Sequence, residues 1–222
     1  MKAIITGATG MVGMGVLLEC LDHPEITQVL TIGRSKVNLG HPKLKQVEHM
    51  DFSDFSTIKD QLAGYDAAYL CMGISAAGLN EAQYTKITYD YTLALAKELV
   101  ALNPQMTCIY VSGEGTDSSE KGRIMWARVK GKTENDIINL DFKQAFAFRP
   151  GAILPLRGIK SKTKLYQTMY DYLSWLLRLI KKVSPNSVVN TTEIGLSMIN
   201  LTLKGYDKKV IRPKDILITA KG

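Results

Sequence analysis

The stretch that decides the fold is residues 6–13, Thr-Gly-Ala-Thr-Gly-Met-Val-Gly, which lies between an apolar run over residues 2–6 and helical periodicity over residues 11–21. The first turn of a βαβ unit needs glycine so that the chain reverses tightly, a pyrophosphate approaches the backbone and the helix packs close to the strand. The helix N-terminus then offers unpaired N–H groups and a partial positive charge to phosphates. The pattern predicts a nucleotide-binding turn, the alternative being a glycine-rich turn with a purely structural role.

Short apolar runs alternate with helical periodicity along most of the chain, as in βαβ units on a parallel sheet. The predicted strands are 2–6, 28–32, 45–49, 67–71, 106–111 and 145–148, and the predicted helices are 11–21, 56–62, 80–102, 123–140 and 165–182. Thr191-Thr192-Glu193 predicts a further helix start with a hydroxyl cap, and residues 210–211 and 216–219 predict short strands or packing segments. We therefore expect one doubly wound, Rossmann-like α/β domain over residues 1–222, in which residues 152–222 form a small C-terminal helical lobe.

The charge of the chain is unevenly distributed. It carries 28 lysines and arginines against 21 acidic residues, and 45% of its residues are apolar, a composition that excludes disorder, collagen and coiled coil. Residues 1–150 are net −2, whereas residues 151–222, with 13 basic and 4 acidic side chains, are net +9. Since no nucleic-acid-reading motif accompanies this excess, we expect no nucleic-acid partner. The excess indicates an anionic substrate, an acidic partner or an anionic membrane surface.

The cysteines and histidines give no sign of disulfides or of a metal site. Cys20, Cys71 and Cys108 are odd in number, far apart and inside apolar runs, which is typical of core residues in a reducing compartment. The three histidines are scattered without metal-ligand spacing, so we predict no metal and surface positions for them. The chain opens directly into its first apolar run, and no apolar stretch reaches the roughly 20 residues that span a bilayer. These features predict a cytoplasmic protein.

The spacing Gly7-x-x-Gly10-x-x-Gly13 resembles that of the short-chain dehydrogenase/reductase superfamily, in particular its extended and atypical branches, often described as NAD-dependent epimerase/dehydratase-like. The second predicted strand is followed by Arg34 and Ser35, with no acidic residue between positions 33 and 38. An acidic residue there accepts hydrogen bonds from the ribose of NAD, whereas an arginine accommodates the 2′-phosphate of NADP. NADP(H) is therefore the expected cofactor, with NAD(H) as the alternative.

The resemblance also implies which residues contact the cofactor. These residues lie in the glycine turn, directly after the second, third, fourth and sixth predicted strands, and at one lysine of a later helix. The implied cofactor-binding residues are Gly7, Thr9, Gly10, Met11, Val12, Gly13, Arg34, Ser35, Asp51, Phe52, Cys71, Met72, Gly73, Lys130, Pro150 and Gly151.

The resemblance further implies three catalytic positions. Ser112, at the end of the fifth strand, would orient a substrate carbonyl, and Lys130 matches the lysine of the family's Tyr-x-x-x-Lys motif. Trp126 stands where the tyrosine is expected. The two helical residues share one face, because they are four positions apart. An indole N–H donates a hydrogen bond but does not ionise near neutral pH, so Trp126 is unsuited to general acid or base catalysis.

Three interpretations follow from this substitution. The chain binds NADP(H) as a regulator or sensor without turnover, or it takes its proton from another group such as Ser112, Glu114, Tyr166, Tyr170 or water. In the third, hydride transfer proceeds alone and solvent protonates the product. The resemblance thus implies an oxidoreductase or epimerase-like enzyme acting on a carbonyl compound, or a non-catalytic binding protein.

The predicted helix over residues 165–182 is apolar nearly all round and follows a basic loop. Such a helix is buried in a core, a subunit interface or lipid. A core or homodimer helix is favoured, followed by a pocket for an apolar-tailed or aromatic substrate with a cationic rim. Contact with a membrane surface is least favoured, because amphipathic anchors have a polar opposite face.

Overall fold

The computed structural model describes residues 1–159 and 187–222. The predicted helix over residues 165–182 lies outside these ranges, as do Tyr166 and Tyr170. The elements before that gap are β1 (Lys2–Thr6), α1 (Met11–Asp22), β2 (Gln28–Gly33), β3 (Leu44–Glu48), a 3₁₀ helix (Ser56–Gln61), β4 (Ala67–Leu70), α2 (Glu81–Thr85), a π-helical turn (Lys86–Asp90), α3 (Tyr91–Leu102), β5 (Thr107–Val111), α4 (Met125–Ile138), β6 (Gln144–Phe148) and β7 (Ala152–Leu154). Those after it are β8 (Val188–Asn190), α5 (Thr191–Lys204), β9 (Val210–Ile211) and α6 (Pro213–Thr219).

Seven strands form one parallel sheet in the order β3-β2-β1-β4-β5-β6-β9. This is the Rossmann order with one added edge strand, and β7 and β8 pair separately in parallel. The order reverses between β1 and β4, which places the topological switch point beside the glycine turn. The predicted doubly wound α/β fold is confirmed.

Two apolar layers cover the sheet. The first is built on α1, α5 and α6 and includes Leu17, Met198 and Ile216. The second is built on the 3₁₀ helix, α3 and α4 and includes Leu99 and Ile137. The strands β1, β2, β4, β5 and β6 are buried on both faces, as expected of parallel strands with helices on each side.

The C-terminal segment is joined to α1 by polar contacts as well as apolar ones. The carboxylate of Glu19, in α1, accepts hydrogen bonds from Arg157 Nη1 at 3.1 Å and from Thr192 Oγ1 at 2.9 Å. Arg157 also pairs with Asp22 at 2.8 Å. The described part of the predicted lobe is therefore held against α1.

Three local predictions need correction. The N-cap of α5 is Asn190, which forms a capping box with Glu193, so the cap is an amide and not a threonine hydroxyl. Residues 216–219 lie in α6, because Pro213 at the first helical turn and Asp215 favour a helix start there. His49 is buried and stacks on Phe55 at 4.9 Å, whereas a surface position was expected.

Candidate active site

In the glycine turn after β1, two glycines lie so close to neighbouring backbone atoms that a larger residue would not fit. Gly7 has φ +69°, and a Cβ at this residue would lie 2.5 Å from the carbonyl oxygen of Cys71, where β4 ends. A Cβ on Gly13 would lie 2.3 Å from the carbonyl oxygen of Gly7. The turn therefore fits tightly between the end of β4 and the first turn of α1.

The N-terminus of α1 suits a phosphate group. Its N-cap is Gly10, which provides no side-chain cap, and its first turn contains no acidic residue. The backbone N–H groups of Met11, Val12 and Gly13 fall where a helix supplies no partner of its own. Thr9, just before the cap, has no hydrogen-bond partner among the described residues for its hydroxyl. These features fit a dinucleotide pyrophosphate, the group that the Rossmann turn is built to hold.

Arg34 and Ser35 lie exposed directly after β2. Arg34 forms no ion pair with any residue in the described ranges, whereas the neighbouring Lys36 lies 3.7 Å from Glu48. Of these two cations, Arg34 is the one whose charge is left for a ligand. An unpaired guanidinium at this position is suited to a phosphate, because it offers several N–H donors in a planar array.

The residues implied beyond β3 and β4 are placed differently from one another. Asp51 is exposed and accepts hydrogen bonds from the backbone and hydroxyl of Ser53, which lower the pKa of its carboxyl. Phe52 is only 4% exposed and packs edge-to-face on Phe55, so its ring belongs to the core. After β4 the backbone of Cys71 and Met72 runs against the glycine turn, and burial raises the pKa of the Cys71 thiol to about 12.

The three predicted catalytic residues line one cleft at the carboxyl ends of β5 and β6. The cleft has a volume of about 760 Å³. Ser112, Trp126, Lys130, Pro150 and Gly151 all line it. The sequence thus brings together residues nearly 40 positions apart at the edge of the sheet where open α/β proteins bind their ligands.

Ser112 is buried, and its hydroxyl is used within the protein. It hydrogen-bonds the Glu134 carboxylate and also lies 3.2 Å from the carbonyl oxygen of Phe148. Both partners accept, so the single hydroxyl proton is directed into the protein. The role implied by the resemblance, donation to a substrate carbonyl, would require this hydroxyl to leave Glu134.

A buried ion pair between Glu134 and Arg149 holds the Glu134 carboxylate beside Ser112. This pair was not predicted from the sequence. The side chains of Glu134 and Arg149 are 1% and 6% exposed. Arg149 Nε lies 2.9 Å from Glu134 Oε1, and a second guanidinium nitrogen contacts both the carboxylate and the Ser118 hydroxyl. The hydrogen bond to Glu134 raises the pKa of Arg149 further. The available signal was the position of Glu134, four residues beyond Lys130 on the same helix face.

Lys130 lies between this ion pair and the cleft. Its ammonium donates a hydrogen bond to the carbonyl oxygen of Ser112. Burial lowers the pKa of Lys130 to about 8, an effect that the negative charge of Glu134 partly opposes. Trp126, one turn earlier, is half-buried, and its indole packs over Gly115 so closely that a Cβ there would lie 3.3 Å from the ring.

The opening of the cleft is predominantly basic. Arg212 reaches across it from the start of α6 and pairs with Glu114 at 2.8 Å. Lys214 lines the same opening and has no ion-pair partner within residues 1–159 and 187–222. Part of the positive charge predicted for the C-terminal lobe therefore lies at the cleft.

Neither a cluster of metal-ligating side chains nor a membrane-spanning helix is found in the described ranges. No group of three or more His, Cys, Asp or Glu side chains there is placed to hold a metal ion. No helix in residues 1–159 or 187–222 is long and apolar enough to cross a membrane.

The sheet order, the glycine turn and the cleft at the carboxyl ends of the strands define a Rossmann-type nucleotide-binding protein. Residues 3–120 match the family model described as "NAD dependent epimerase/dehydratase family". The chain belongs to this family, whose members bind NAD(P) nucleotides.

Relatives and solved structures agree with this assignment. Protein FMP52, mitochondrial, of Candida albicans is 28% identical over 232 residues, covering 100% of this chain and 95% of the relative. The Kluyveromyces lactis protein of the same name is 33% identical over 163 residues, 71% of this chain and 70% of the relative. A Burkholderia cenocepacia short chain dehydrogenase in complex with NADP has a TM-score of 0.63 at 12% identity, with 94% of this chain and 86% of that chain covered. The Bordetella bronchiseptica enzyme WbmF in complex with NAD+ has a TM-score of 0.66 at 12% identity, with 99% and 77% covered.

Proposed function

We propose that this chain is an NADP(H)-dependent oxidoreductase that acts on a carbonyl substrate in the cleft between β5, α4 and α6. The observation that carries the proposal is the convergence of Ser112, Lys130 and Pro150 on one cleft at the carboxyl ends of β5 and β6. An epimerase-like reaction would use the same cleft, because it also oxidises and reduces a carbon–oxygen bond.

The residues present fit the cofactor. The first turn of α1 would hold the pyrophosphate, Arg34 the 2′-phosphate of NADP, and Lys130 the nicotinamide ribose in the role its family counterpart has. When bound, the cofactor supplies or accepts a hydride at the substrate carbon. The protein contributes position, the exclusion of water by Trp126 and Pro150, and the positive charge of Lys130 beside the carbonyl oxygen.

The substrate proposed is a small carbonyl compound that is anionic or has an apolar tail. Lys214 supports the anionic form, because it lines the cleft and its charge has no ion-pair partner within residues 1–159 and 187–222. An apolar tail, and a homodimer formed through the helix over residues 165–182, stay predictions from the sequence. So do the absence of nucleic-acid and membrane partners and a cytoplasmic location; the relatives above carry the word mitochondrial in their names.

A second candidate is an NADP(H)-binding regulator or sensor without turnover. Trp126 favours it, because the group that usually moves the proton in this superfamily is replaced by one that does not ionise near neutral pH. The two candidates share the cofactor and differ only in chemistry.

The test has two stages on the purified full chain. Fluorescence titration with NADPH, NADP+, NADH and NAD+ gives the Kd of each, and we expect the phosphorylated pair to bind more tightly. NADPH absorbance is then followed with a panel of aldehydes, ketones, 2-oxo acids and quinones. Oxidation of NADPH by one class of carbonyl compound supports the enzyme; tight binding with no oxidation across the panel supports the regulator.

A further inference from the structure

Trp126 stands where the superfamily has the tyrosine that moves the proton, so another group of the cleft has to supply it. Besides Trp126, six side chains that line it carry ionisable or exchangeable protons: Ser112, Glu114, Lys130, Ser187, Arg212 and Lys214. The guanidinium of Arg212 does not release a proton in proteins. Two of the six are already engaged in ways that oppose the role. Ser112 directs its proton to Glu134, and Glu114 is held as an acceptor beside Arg212.

Lys130 is placed differently. Its side chain is half-buried in the lining of the cleft, whereas Lys214 is exposed. Its ammonium has three N–H groups, and one of them is used by the carbonyl oxygen of Ser112. The nearest carboxylate, Glu134, is already taken up by Arg149, and Lys130 forms no ion pair with any described residue.

We infer that the Lys130 ammonium donates the proton to the substrate oxygen in this cleft, in place of the tyrosine that position 126 lacks. This inference rests on the proposed carbonyl reduction. As the carbonyl carbon gains a hydride, the π electrons of the C=O bond pass to oxygen. One N–H bond of Lys130 then breaks and the O–H bond of the alcohol forms. Lys130 is left as a neutral amine and recovers a proton from water, while the carbonyl compound is reduced and NADPH is oxidised to NADP+.

Charges on every side of Lys130 set its proton affinity. Glu134 on α4 favours the ammonium, and Arg149, directly after β6, pairs with that carboxylate. At the rim, Glu114 faces Arg212 and Lys214. Burial outweighs these charges and gives Lys130 a pKa of about 8, which is suited to a general acid at neutral pH because it is close to the working pH.

The first measurement reports on Lys130 without any cofactor. Trace acetylation of the wild-type chain, followed by peptide mass spectrometry between about pH 6 and pH 11, gives the proton affinity of each lysine. We expect half-maximal reactivity of Lys130 near pH 8 and that of Lys132, which pairs with Asp136 on the same helix, above the ordinary lysine range. A midpoint for Lys130 near 10.4, the ordinary value, would overturn the inference.

The second measurement uses Lys130→Arg, which keeps a positive charge and a donor but does not release a proton near neutral pH. We expect the wild-type kcat/KM for reduction to fall about tenfold per pH unit above pH 8. The variant should lose about 10²-fold or more at pH 7 and show a flat profile. Both proteins are measured at saturating NADPH, because Lys130 is also proposed to hold the nicotinamide ribose. Lys132→Arg, on the same helix but outside the cleft, is the control and should keep the wild-type profile.

The outcomes separate this inference from the proposed function. Turnover by Lys130→Arg at the wild-type rate, or with the wild-type dependence on pH, overturns the inference and leaves the oxidoreductase standing. A lower rate with an unchanged pH profile assigns Lys130 a structural role and overturns it as well. Failure of the wild-type chain to oxidise NADPH with any carbonyl compound overturns both.

Discussion

The buried pair formed by Glu134 and Arg149 allows a quantitative test of what stabilises the cleft. In Glu134→Ala the Arg149 guanidinium keeps its position in the core, at 6% exposure, but loses its carboxylate, and the Ser112 hydroxyl loses the same partner. Removing one member of a buried ion pair costs about 3–5 kcal/mol, because the remaining charge stays desolvated and uncompensated. The free energy of unfolding of a native domain is about 5–15 kcal/mol, so this loss is a large fraction of the stability.

The assay is urea unfolding followed by circular dichroism, with thermal unfolding as a second measurement. For a domain of this size each kcal/mol shifts Tm by about 2–4 °C, so Glu134→Ala should lower Tm by about 6–20 °C. The matched control is Glu114→Ala, which breaks the exposed pair with Arg212 and should cost at most about 1 kcal/mol. Equal losses in the two variants would refute the assignment of Glu134 as a buried structural carboxylate.

Four further changes test other parts of the molecule. Gly13→Ala places a methyl group against the Gly7 carbonyl, so NADPH affinity should fall about 10-fold or more with the far-ultraviolet spectrum retained; unchanged affinity would contradict the assigned turn. Arg34→Ala should reduce the preference for NADP+ over NAD+ by about 1–3 kcal/mol, or roughly 5- to 150-fold, in the Kd ratio, and an unaltered ratio would remove Arg34 from the site. Trp126→Phe should keep kcat within about threefold, since the indole supplies no proton, and a larger loss would assign the indole a role. Lys130→Met should be more stable than wild type at pH 7 by up to about 3 kcal/mol, because the folded-state pKa of about 8 lies below the ordinary lysine value. That advantage should shrink as pH rises from 8 to 10.5, where the wild-type lysine loses its charge, and urea unfolding at both ends of this interval measures it.

The parts of the fold that follow from the sequence are those set by local pattern. The strands β1, β2, β4, β5 and β6 were predicted within about one residue, because strands buried on both faces appear as continuous apolar runs. The predicted helix over residues 80–102 is divided in the structure by the π-helical turn Lys86–Asp90. That departure depends on packing against α4 and leaves no mark in periodicity.

The candidate site divides in the same way. The glycine turn, Ser112, Lys130 and Pro150 follow from motifs with fixed spacing. Contacts between distant segments determine the rest of the site. They pair Glu134 with Arg149 and place Arg212 and Lys214 at the cleft. A helix face places Glu134 beside Lys130, but only the pairing of β6 with β5 brings Arg149 to it. Phe52 also depends on such contacts. The resemblance implies that it contacts the cofactor, and in the structure its ring packs in the core.

The position of β9 has a consequence for synthesis of the chain. β9 pairs with β6 in the seven-stranded sheet, although the two are separated by about 60 residues of sequence. On a ribosome adding about 5–20 residues per second, the outer edge of β6 waits about 3–12 s for its neighbour. Its sequence, Gln-Ala-Phe-Ala-Phe, is an apolar strand of the kind that pairs readily with another chain. During this interval the unpaired edge of β6 is exposed to pairing with other chains. The exposure ends when β9 is synthesised and pairs with it.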